Sequence, residues 1–541
     1  MRLTIWRAGQ GYDWAVARAV LPCLALGAGL VCQCSSSSSS PSTPAIPTRT
    51  ASPLTIDTTA AIAQIDDRFL AVGIDSAQVV GATWWSSVDA VAGGTAKVAP
   101  YDFTRPVLRK LASALAPSYL RVGGTEADKI FYDMSATPVT TAPSPYEDVM
   151  THAQWDAIHD FATTLGFQVL FTLDAGPGPR AADMAWQPDN ARVLLQYAAS
   201  KGTPVALWEL GNEVNAFPVS VSLSYSISPA QLAADVKTAR ALVDATTPGV
   251  KLGAPSSAYW PKQGELPGPF YAPFLMAGGG GSLDVITWHY YPTQSHRCPI
   301  ATVRDAASLM FEPSTLDEID TWAQEVQSAG MMYAPGKPVW LGETGNAQCG
   351  GEPGVSDAFV GGFWWLDQLA KVARLGQPVM VRQTLSGSNY GLIDDATLTP
   401  RPDYWTAVLW RRLMGTSVLA VAATTPGALL RTYAHCTRVG APGYAKGAVT
   451  LVVLNLDQTT AVSIPIATGM GDEADVYELS SQDVSTSSVM LNGTTLTAAA
   501  DGSLPPLNPS VVKRSGALNV TFGPASYGYV VLPGASAAAC N

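Results

Sequence analysis

Charge is scarce in this 541-residue chain. Only 14% of the residues are charged, and Asp and Glu outnumber Lys and Arg by 43 to 32, for a net charge of −11. That excludes the basic face by which a protein holds a nucleic-acid backbone. Past the N-terminus no uncharged apolar run approaches the ~18 residues of a membrane span, so a polytopic membrane protein is excluded too. No phosphate-cradling glycine loop is present: glycines 278–281 are followed by no GK[ST] and open no dinucleotide fold. A GxSxG elbow is missing, which disfavours an α/β-hydrolase esterase. Cysteine is limited to seven residues, with no CxxC pair past residue 34, which argues against a zinc site or a redox motif. What is plentiful is apolar: 47% hydrophobic residues, 9% of the chain aromatic, over a length that can bury a large core. Global disorder is thereby excluded.

The first segment reads as an address. Arg2, Arg7 and Arg18 precede an apolar run at 19–31, the pattern of a signal peptide within 1–34. Cys32 and Cys34 follow, and 35–53 is a Ser/Pro/Thr-rich tether that cannot form a core. A cysteine directly after such a run resembles a bacterial lipoprotein signal, with Cys32 as the lipidated residue. Plain secretion and an uncleaved anchor are the alternatives. Loss of residues 1–31, with three Arg and one Asp, moves the net charge from −11 to −13.

The four remaining cysteines, Cys298, Cys349, Cys436 and Cys540, allow three pairings in an exported chain. Pairing of Cys436 with Cys540 is favoured because it staples the C-terminal tail to its own domain, leaving Cys298 with Cys349. Four buried thiols are the alternative.

The middle of the chain repeats a rhythm. Apolar runs at 71–76, 119–123, 169–174, 206–211, 251–255, 285–290, 339–343 and 378–384 read as strands. Segments with apolar residues at three- and four-residue spacing lie between most of them: 105–115, 155–165, 191–200, 229–245, 316–327, 358–373 and 404–414. Starts such as Ser228-Pro229 and stops such as Gly166 and Gly376 punctuate them. The fold class is α/β, a parallel (β/α)8 barrel over 71–416. From 417 to 541 the rhythm changes to short strands separated by Gly, Asp, Ser and Thr, an antiparallel β-sandwich. A strand-like stretch in 54–70 precedes the barrel and is expected to join that sandwich.

Active sites of such barrels lie at the C-terminal ends of the strands. There stand Asp75, Arg121 followed by Gly123-Gly124-Thr125, Asn212-Glu213, His289-Tyr290-Tyr291, Glu343 and Arg382-Gln383, with Tyr390 in the last loop. Glu213 and Glu343 each end an apolar strand, where a charge is costly unless it is paired or used. Two carboxylates across one barrel mouth are the apparatus of glycoside hydrolysis: one gives a proton to the leaving oxygen and the other attacks. A structural ion pair with Arg121 or Arg382 is the bland alternative. Glu209 shares a strand face with Glu213 and reads as a deeper, hydrogen-bonded core acid. Asp174 either contacts substrate or caps its own turn. His289 is either scaffold or a substrate contact, and Trp260, Trp288 and Trp340 either stack on sugars or fill the core.

These residues carry a resemblance. Leu120-Arg121-Val122-Gly123-Gly124-Thr125, Leu210-Gly211-Asn212-Glu213-Val214-Asn215, Thr287-Trp288-His289-Tyr290-Tyr291 and Val339-Trp340-Leu341-Gly342-Glu343-Thr344 follow in order. Gly350-Gly351, Trp365-Leu366-Asp367, Arg382-Gln383, Gly387-Ser388-Asn389-Tyr390 and Pro402-Asp403-Tyr404-Trp405 continue them. Together they resemble the heparanase and β-glucuronidase family, glycoside hydrolase family 79. The resemblance implies a retaining enzyme with Glu213 as acid/base and Glu343 as nucleophile. It implies that Asn212 binds the 2-hydroxyl, that Asp75 and Thr125 line the non-reducing sugar subsite, and that Tyr291 hydrogen-bonds the nucleophile. Tyr390 and N–H groups near Gly350 would hold a uronate carboxylate, with His289 also near substrate and Arg121 and Arg382 in support.

The expected reaction is removal of a terminal β-linked glucuronic acid, with no metal and no other cofactor. The partner is a glucuronic-acid-containing oligosaccharide, polysaccharide or glucuronide, acted on by a monomer that is exported and lipid-anchored or secreted. The carboxyl groups are expected ~5–5.5 Å apart. An endo-acting heparanase-like or hyaluronan-cleaving enzyme is the alternative, and a non-catalytic glycan-binding lipoprotein the more distant one. Where the family has a Gly triplet this chain has Cys349-Gly350-Gly351, and only the Pro/Thr-rich stretch 134–147 stands where animal heparanases carry an excised linker. The chain is therefore expected to work unprocessed. Lys and Arg are sparse around the proposed cleft, with Arg180, Lys262 and Arg297 the nearest in sequence to strand ends, and a chain near −13 argues against long sulfated polymers.

Overall fold

A computed structural model describes residues 46–87, 94–422 and 428–541. The signal segment, Cys32 and most of the tether lie outside the described residues. Eight parallel strands close a barrel. They are β1 (Leu70–Asp75), β2 (Ser118–Gly123), β3 (Phe167–Leu173), β4 (Val205–Leu210), β5 (Lys251–Trp260), β6 (Val285–Tyr290), β7 (Val339–Thr344) and β8 (Met380–Arg382). Each pairs with its neighbours in sequence, and β8 returns to β1. Nearly every strand residue is buried, which is why the strands read as continuous apolar runs: barrel interior lies on one side and helices on the other. One residue in two faces inward. Ala71, Tyr119, Leu170, Leu207, Val285, Trp340, Val379 and Val381 pack as one interior cluster, the plug of a closed barrel.

The helices start and stop where local chemistry directs. Thr151 forms a capping box with Gln154 ahead of His152–Leu165, and Gly166 ends that helix in the left-handed region. The Ser228 hydroxyl accepts the N–H of Gln231 at 3.1 Å, with Pro229 in the first turn of Pro229–Thr246. Between β5 and β6 stands a short helix, Tyr271–Met276, too short to show a helical period in sequence.

The C-terminal part is a sandwich. Its larger sheet runs through Thr55–Gln64, Met414–Ala422, Leu430–Thr437, Val449–Asn455, Ser526–Leu532 and Glu473–Ser480. The strand before the barrel thus pairs antiparallel with the first strand after it. Its partner sheet holds Thr48–Thr50, Ala461–Ile466 and Leu518–Phe522. Leu451, Val453, Val462, Ile464, Val520, Phe522 and Val530 fill the space between the sheets. The large sheet's other face, with Tyr433, Val452, Tyr527 and Tyr529, belongs to the same core as the barrel helices Gly361–Arg374 and Pro402–Leu413. A strand at Ser510–Lys513, not expected from the sequence, pairs with Glu473–Ser480.

Both expected disulfides are formed: Cys298 with Cys349 and Cys436 with Cys540, at Cα–Cα distances of 5.4 and 5.2 Å. The second closes a loop spanning 104 positions and ties the last residues to Leu430–Thr437. Loop-closure entropy assigns such a cross-link about 4–5 kcal/mol. Replacing Cys436 and Cys540 by Ser is expected to lower unfolding free energy by that order, read by denaturant titration without reductant.

Candidate active site

The period of two carries most of the site to the barrel mouth. From Tyr119 inside, Arg121 is next; from Leu207, Glu209; from Val285, Thr287 and then His289; from Val381, Gln383. The two glutamates arrive differently. The register between β6 and β7 shifts after Trp288, so that His289 stands opposite Glu343 rather than Gly342. This irregularity turns Glu343, which strict alternation would point at the helices, into the mouth. Glu213 lies beyond β4, at φ 51° and ψ 47°, and its N–H donates to the carbonyl of Ser256 at 3.1 Å. A left-handed glutamate is an uncommon, mildly strained residue. Gly211 makes that turn possible: its φ is +77°, and a Cβ there would meet Val214 Cγ2 at 2.6 Å.

A carboxylate oxygen of Glu213, one of Glu343 and a ring nitrogen of His289 lie within 4.8 Å of one another. Both oxygens of Glu343 accept hydrogen bonds, Oε2 from Arg121 at 2.6 Å and Oε1 from the Tyr291 hydroxyl at 2.7 Å. Arg121 also donates to Glu209 at 2.9 Å and to Asn212 Oδ1 at 2.8 Å. Glu209 is thus the buried core acid. Burial pushes its carboxyl up, but Arg121, His289 and hydroxyl donors bring it below the usual carboxylate range. Among the described residues no arginine or hydroxyl donates to Glu213. Burial pushes its carboxyl up to about 7, against the weaker pull of Arg121. His289 Nδ1 lies 3.1 Å from Glu213 Oε1. Burial, then the charge of Arg121, pushes this imidazole down to about 4, so it holds Glu213 as a neutral ring. The trio could present three ligand atoms to a cation, yet Glu343 already faces the fixed positive charge of Arg121, which a metal ion would oppose.

The mouth encloses a cavity of about 320 Å³. Asp75, Thr125, Glu213, Tyr291, Glu343 and Tyr390 line it, as expected. Burial first, and then the charge of Glu126, hold Asp75 well above the usual carboxylate range. Gly124 at φ +100° passes so close that a Cβ would meet Asp75 Oδ2 at 2.0 Å. Two expected contacts are corrected. His289 is wholly buried and does not line the cavity, although it stands opposite Glu343, because its ring is turned onto Glu213. Gly350 is buried too: its carbonyl accepts from Asn389, Tyr390 and Ser388, and Cys349 takes the place on the wall. Arg382 points away from the mouth, since Val381 holds the inward position. It pairs with Asp403 at 2.7 Å between Trp364 and Trp365, and supports the site only by donating to the Tyr390 carbonyl at 3.0 Å.

Asn212 lies beneath the cavity rather than on its wall. Its Oδ1 is engaged by Arg121 and by the Gly124 N–H, which directs its amide nitrogen elsewhere. Asp174 caps its own turn, accepting from the Gly176 N–H at 2.7 Å. Trp288 and Trp340 are core, whereas Trp260 lines the cavity. Cys349 has a left-handed φ of 62°. Gln383, placed at the mouth by the sequence but given no role there, donates from its amide to Asp75 Oδ2 at 3.0 Å. Sequence reasoning missed Asp128, whose two oxygens accept the N–H groups of Ala175 and Asn212 at 2.8 Å and so hold the backbone just ahead of Glu213. No spacing rule signals that contact.

The family model for "Glycosyl hydrolase family 79, N-terminal domain" matches residues 51–370. The chain belongs to glycosyl hydrolase family 79. It is a glycosidase acting on O-glycosyl bonds. Heparanase of Mus musculus is 32% identical over 488 residues, covering 80% of this chain and 87% of that protein. Hyaluronoglucuronidase of Hirudo nipponia is 28% identical, covering 90% and 99%. Among solved structures, a 4-O-α-L-rhamnosyl-β-D-glucuronidase from Fusarium oxysporum superposes with a TM-score of 0.62 over 90% of this chain and all of that one, at 17% identity. This last likeness shows the barrel-and-sandwich fold.

Two stability predictions follow from the charges. Arg121→Met leaves two buried carboxylates unpaired and is expected to cost about 3–5 kcal/mol, whereas Arg121→Met with Glu209→Leu costs less, as chemical denaturation of both would show. Glu213 holds its proton to about pH 7 in the folded chain, against 4.5 when unfolded. Folding stability therefore falls as pH rises between these values, and Glu213→Gln is expected to gain about 2–3 kcal/mol on the native chain above pH 7 and nothing below pH 4, measured by unfolding at both pH values.

Proposed function

We propose that this chain is a retaining exo-β-glucuronidase. The observation that carries the reading is a pair of carboxyl groups in one cavity with opposite surroundings. Glu213 has a raised affinity for its proton. Glu343 is met by two donors on its two oxygens. The first is the general acid: it protonates the leaving oxygen. The second is the nucleophile and forms a covalent glycosyl-enzyme. Water activated by Glu213, now ionised, then releases the sugar. An oxygen-to-oxygen approach within 4.8 Å supports retention over inversion, which needs ~6.5–9.5 Å for an intervening water.

The sugar lies over Asp75, Thr125 and Gln383, with its carboxylate toward Tyr390 and the Cys349 backbone. Asn212 addresses the 2-hydroxyl from below through its amide nitrogen. Tyr291 and Arg121 hold the nucleophile, and His289 positions the acid. The names of the relatives support a substrate class of glucuronic-acid-containing polysaccharides, oligosaccharides or glucuronides. The second reading is an endo-acting enzyme on such polymers. Against it, the cavity is near the small end of ligand pockets, about 300–1,000 Å³. Segments 260–274 and 295–313 wall it with Trp260, Leu266, Pro299 and Ile300. We further infer export, anchorage through a lipid on Cys32, and action as an unprocessed monomer. Two disulfides suit an oxidising compartment.

Aryl β-glucuronide is expected to be hydrolysed in preference to aryl β-glucoside and β-xyloside, and Glu343→Gln to lose at least ~10⁴-fold in kcat, on the scale of removing a covalent nucleophile. On the active enzyme kcat/KM should fall as pH rises through about 7, because Glu213 must carry a proton. Turnover of neutral glycosides alone would keep the two carboxylates and remove the uronate.

A further inference from the structure

The cavity has two apolar walls, and they flank different halves of the substrate. One is formed by Trp85 and Tyr390, with Ala77, Ala82 and Trp84 in the cluster that backs them, on the side of Asp75 and Gln383. The other is formed by Ala216, Trp260 and Leu266, with Ala258 in the cluster that backs them. Ala216 follows Glu213 in the same turn, where its N–H donates to the Glu213 carbonyl at 2.7 Å. A general acid stands beside the oxygen that leaves, so the second wall faces the leaving group.

Val219 and Ile300 continue that wall to the rim, 51% and 57% exposed, and Pro299 stands between Ile300 and the disulfide. Among the described residues no Lys or Arg lines the cavity. The cations that flank these wall residues in sequence are already engaged. Lys262 pairs with Glu318 at 2.9 Å, Arg304 donates to the carbonyls of Ser295 and Cys298, and Arg297 donates to Asn389. An anionic leaving group placed there would lose water without gaining a partner.

We propose that the leaving-group side of the cavity is a subsite for an uncharged, apolar aglycone, so that the preferred substrate is a glucuronide of a hydrophobic alcohol or phenol rather than of a sulfated sugar. This rests on the glucuronidase reading above. The subsite consists of Ala216, Val219, Trp260, Leu266, Pro299 and Ile300. The uronic acid supplies the polar half of recognition and these residues the apolar half, the division usual in small-ligand pockets.

Methyl, butyl and hexyl β-glucuronides test this, because the alcohols differ in apolar length and scarcely in acidity. Each methylene that is buried should raise kcat/KM about fourfold, so the butyl compound is expected to exceed the methyl one by at least ~10-fold. The β-glucuronide of N-sulfated glucosamine is expected to be turned over more slowly than either longer alkyl compound. Ile300→Lys, at an exposed rim position, should cut the gain from methyl to hexyl by about an order of magnitude and improve the sulfated compound. Equal kcat/KM along the alkyl series, or a sulfated compound that outruns hexyl, would overturn the apolar subsite while leaving Glu213 and Glu343 in their roles. Failure to hydrolyse every one of these glucuronides would overturn the glucuronidase reading, and the subsite with it.

Discussion

A single guanidinium organises the mouth of this barrel. Arg121 is buried, and removing its charge from water carries a penalty of several kcal/mol that only close partners offset. Glu209 and Asn212 reach it from β4 and the turn after it, and Glu343 from β7. Those strands cannot slip against one another: a shift of one residue would turn Arg121 or Glu209 to the helices and leave its partner stranded. The same constraint explains why two glutamates in one cavity differ. Arg121's charge is matched by Glu209 and Glu343 before Glu213 is considered, so at Glu213 burial prevails over attraction. Asymmetry of this kind is what acid–base chemistry on two like groups needs.

How much of this could be read in the sequence depends on which rule delivers each residue. The eight strands were legible because buried parallel strands are nearly unbroken apolar runs, and Arg121, Glu209 and Gln383 lie on a plain alternation from inward-facing neighbours. Glu343 was legible as a charge at an apolar strand end, but its direction was not. It depends on a register irregularity between β6 and β7 that no residue type announces. The same alternation, followed one residue further, would have shown that Arg382 faces the helices. His289 has the right face, but it is covered by its contact with Glu213, which period two does not show. Gly350 and Cys349 exchange their expected places because the left-handed run from 349 to 351 turns the carbonyl of Gly350 onto the 388–390 loop.

The sandwich is joined to the barrel by more than apolar surface. The helix Gly361–Arg374 is covered on nearly every side, with sheet above and barrel below. Its Asp367 accepts from the Tyr433 hydroxyl at 2.6 Å and faces Arg431, which also pairs with Asp317 at 2.8 Å. Lys371 pairs with Asp317 and Asp320 at 2.6 and 2.8 Å. The Lys371 pairs lie within the barrel, but Arg431 meets Asp317 and Asp367 only when both parts are assembled, and this makes the assembly specific, since the sandwich alone would strand Arg431. The N-terminal strand Thr55–Gln64 adds a covalent reason: it enters the sandwich before the chain begins the barrel.

The bond between Cys298 and Cys349 separates two things that barrel enzymes often keep together. Both cysteines stand on the cavity wall, and short parallel pairing of Thr293–Gln294 with Ala347–Gln348 lies beside them. The loop bearing Pro299 and Ile300 is therefore clamped to the segment that leaves β7, the strand of Glu343. Side chains on the clamped loop can be exchanged through evolution without the loop drifting and without disturbing the carboxylate beneath it. Selectivity on this scaffold can thus diversify residue by residue while the bond-breaking geometry stays inherited.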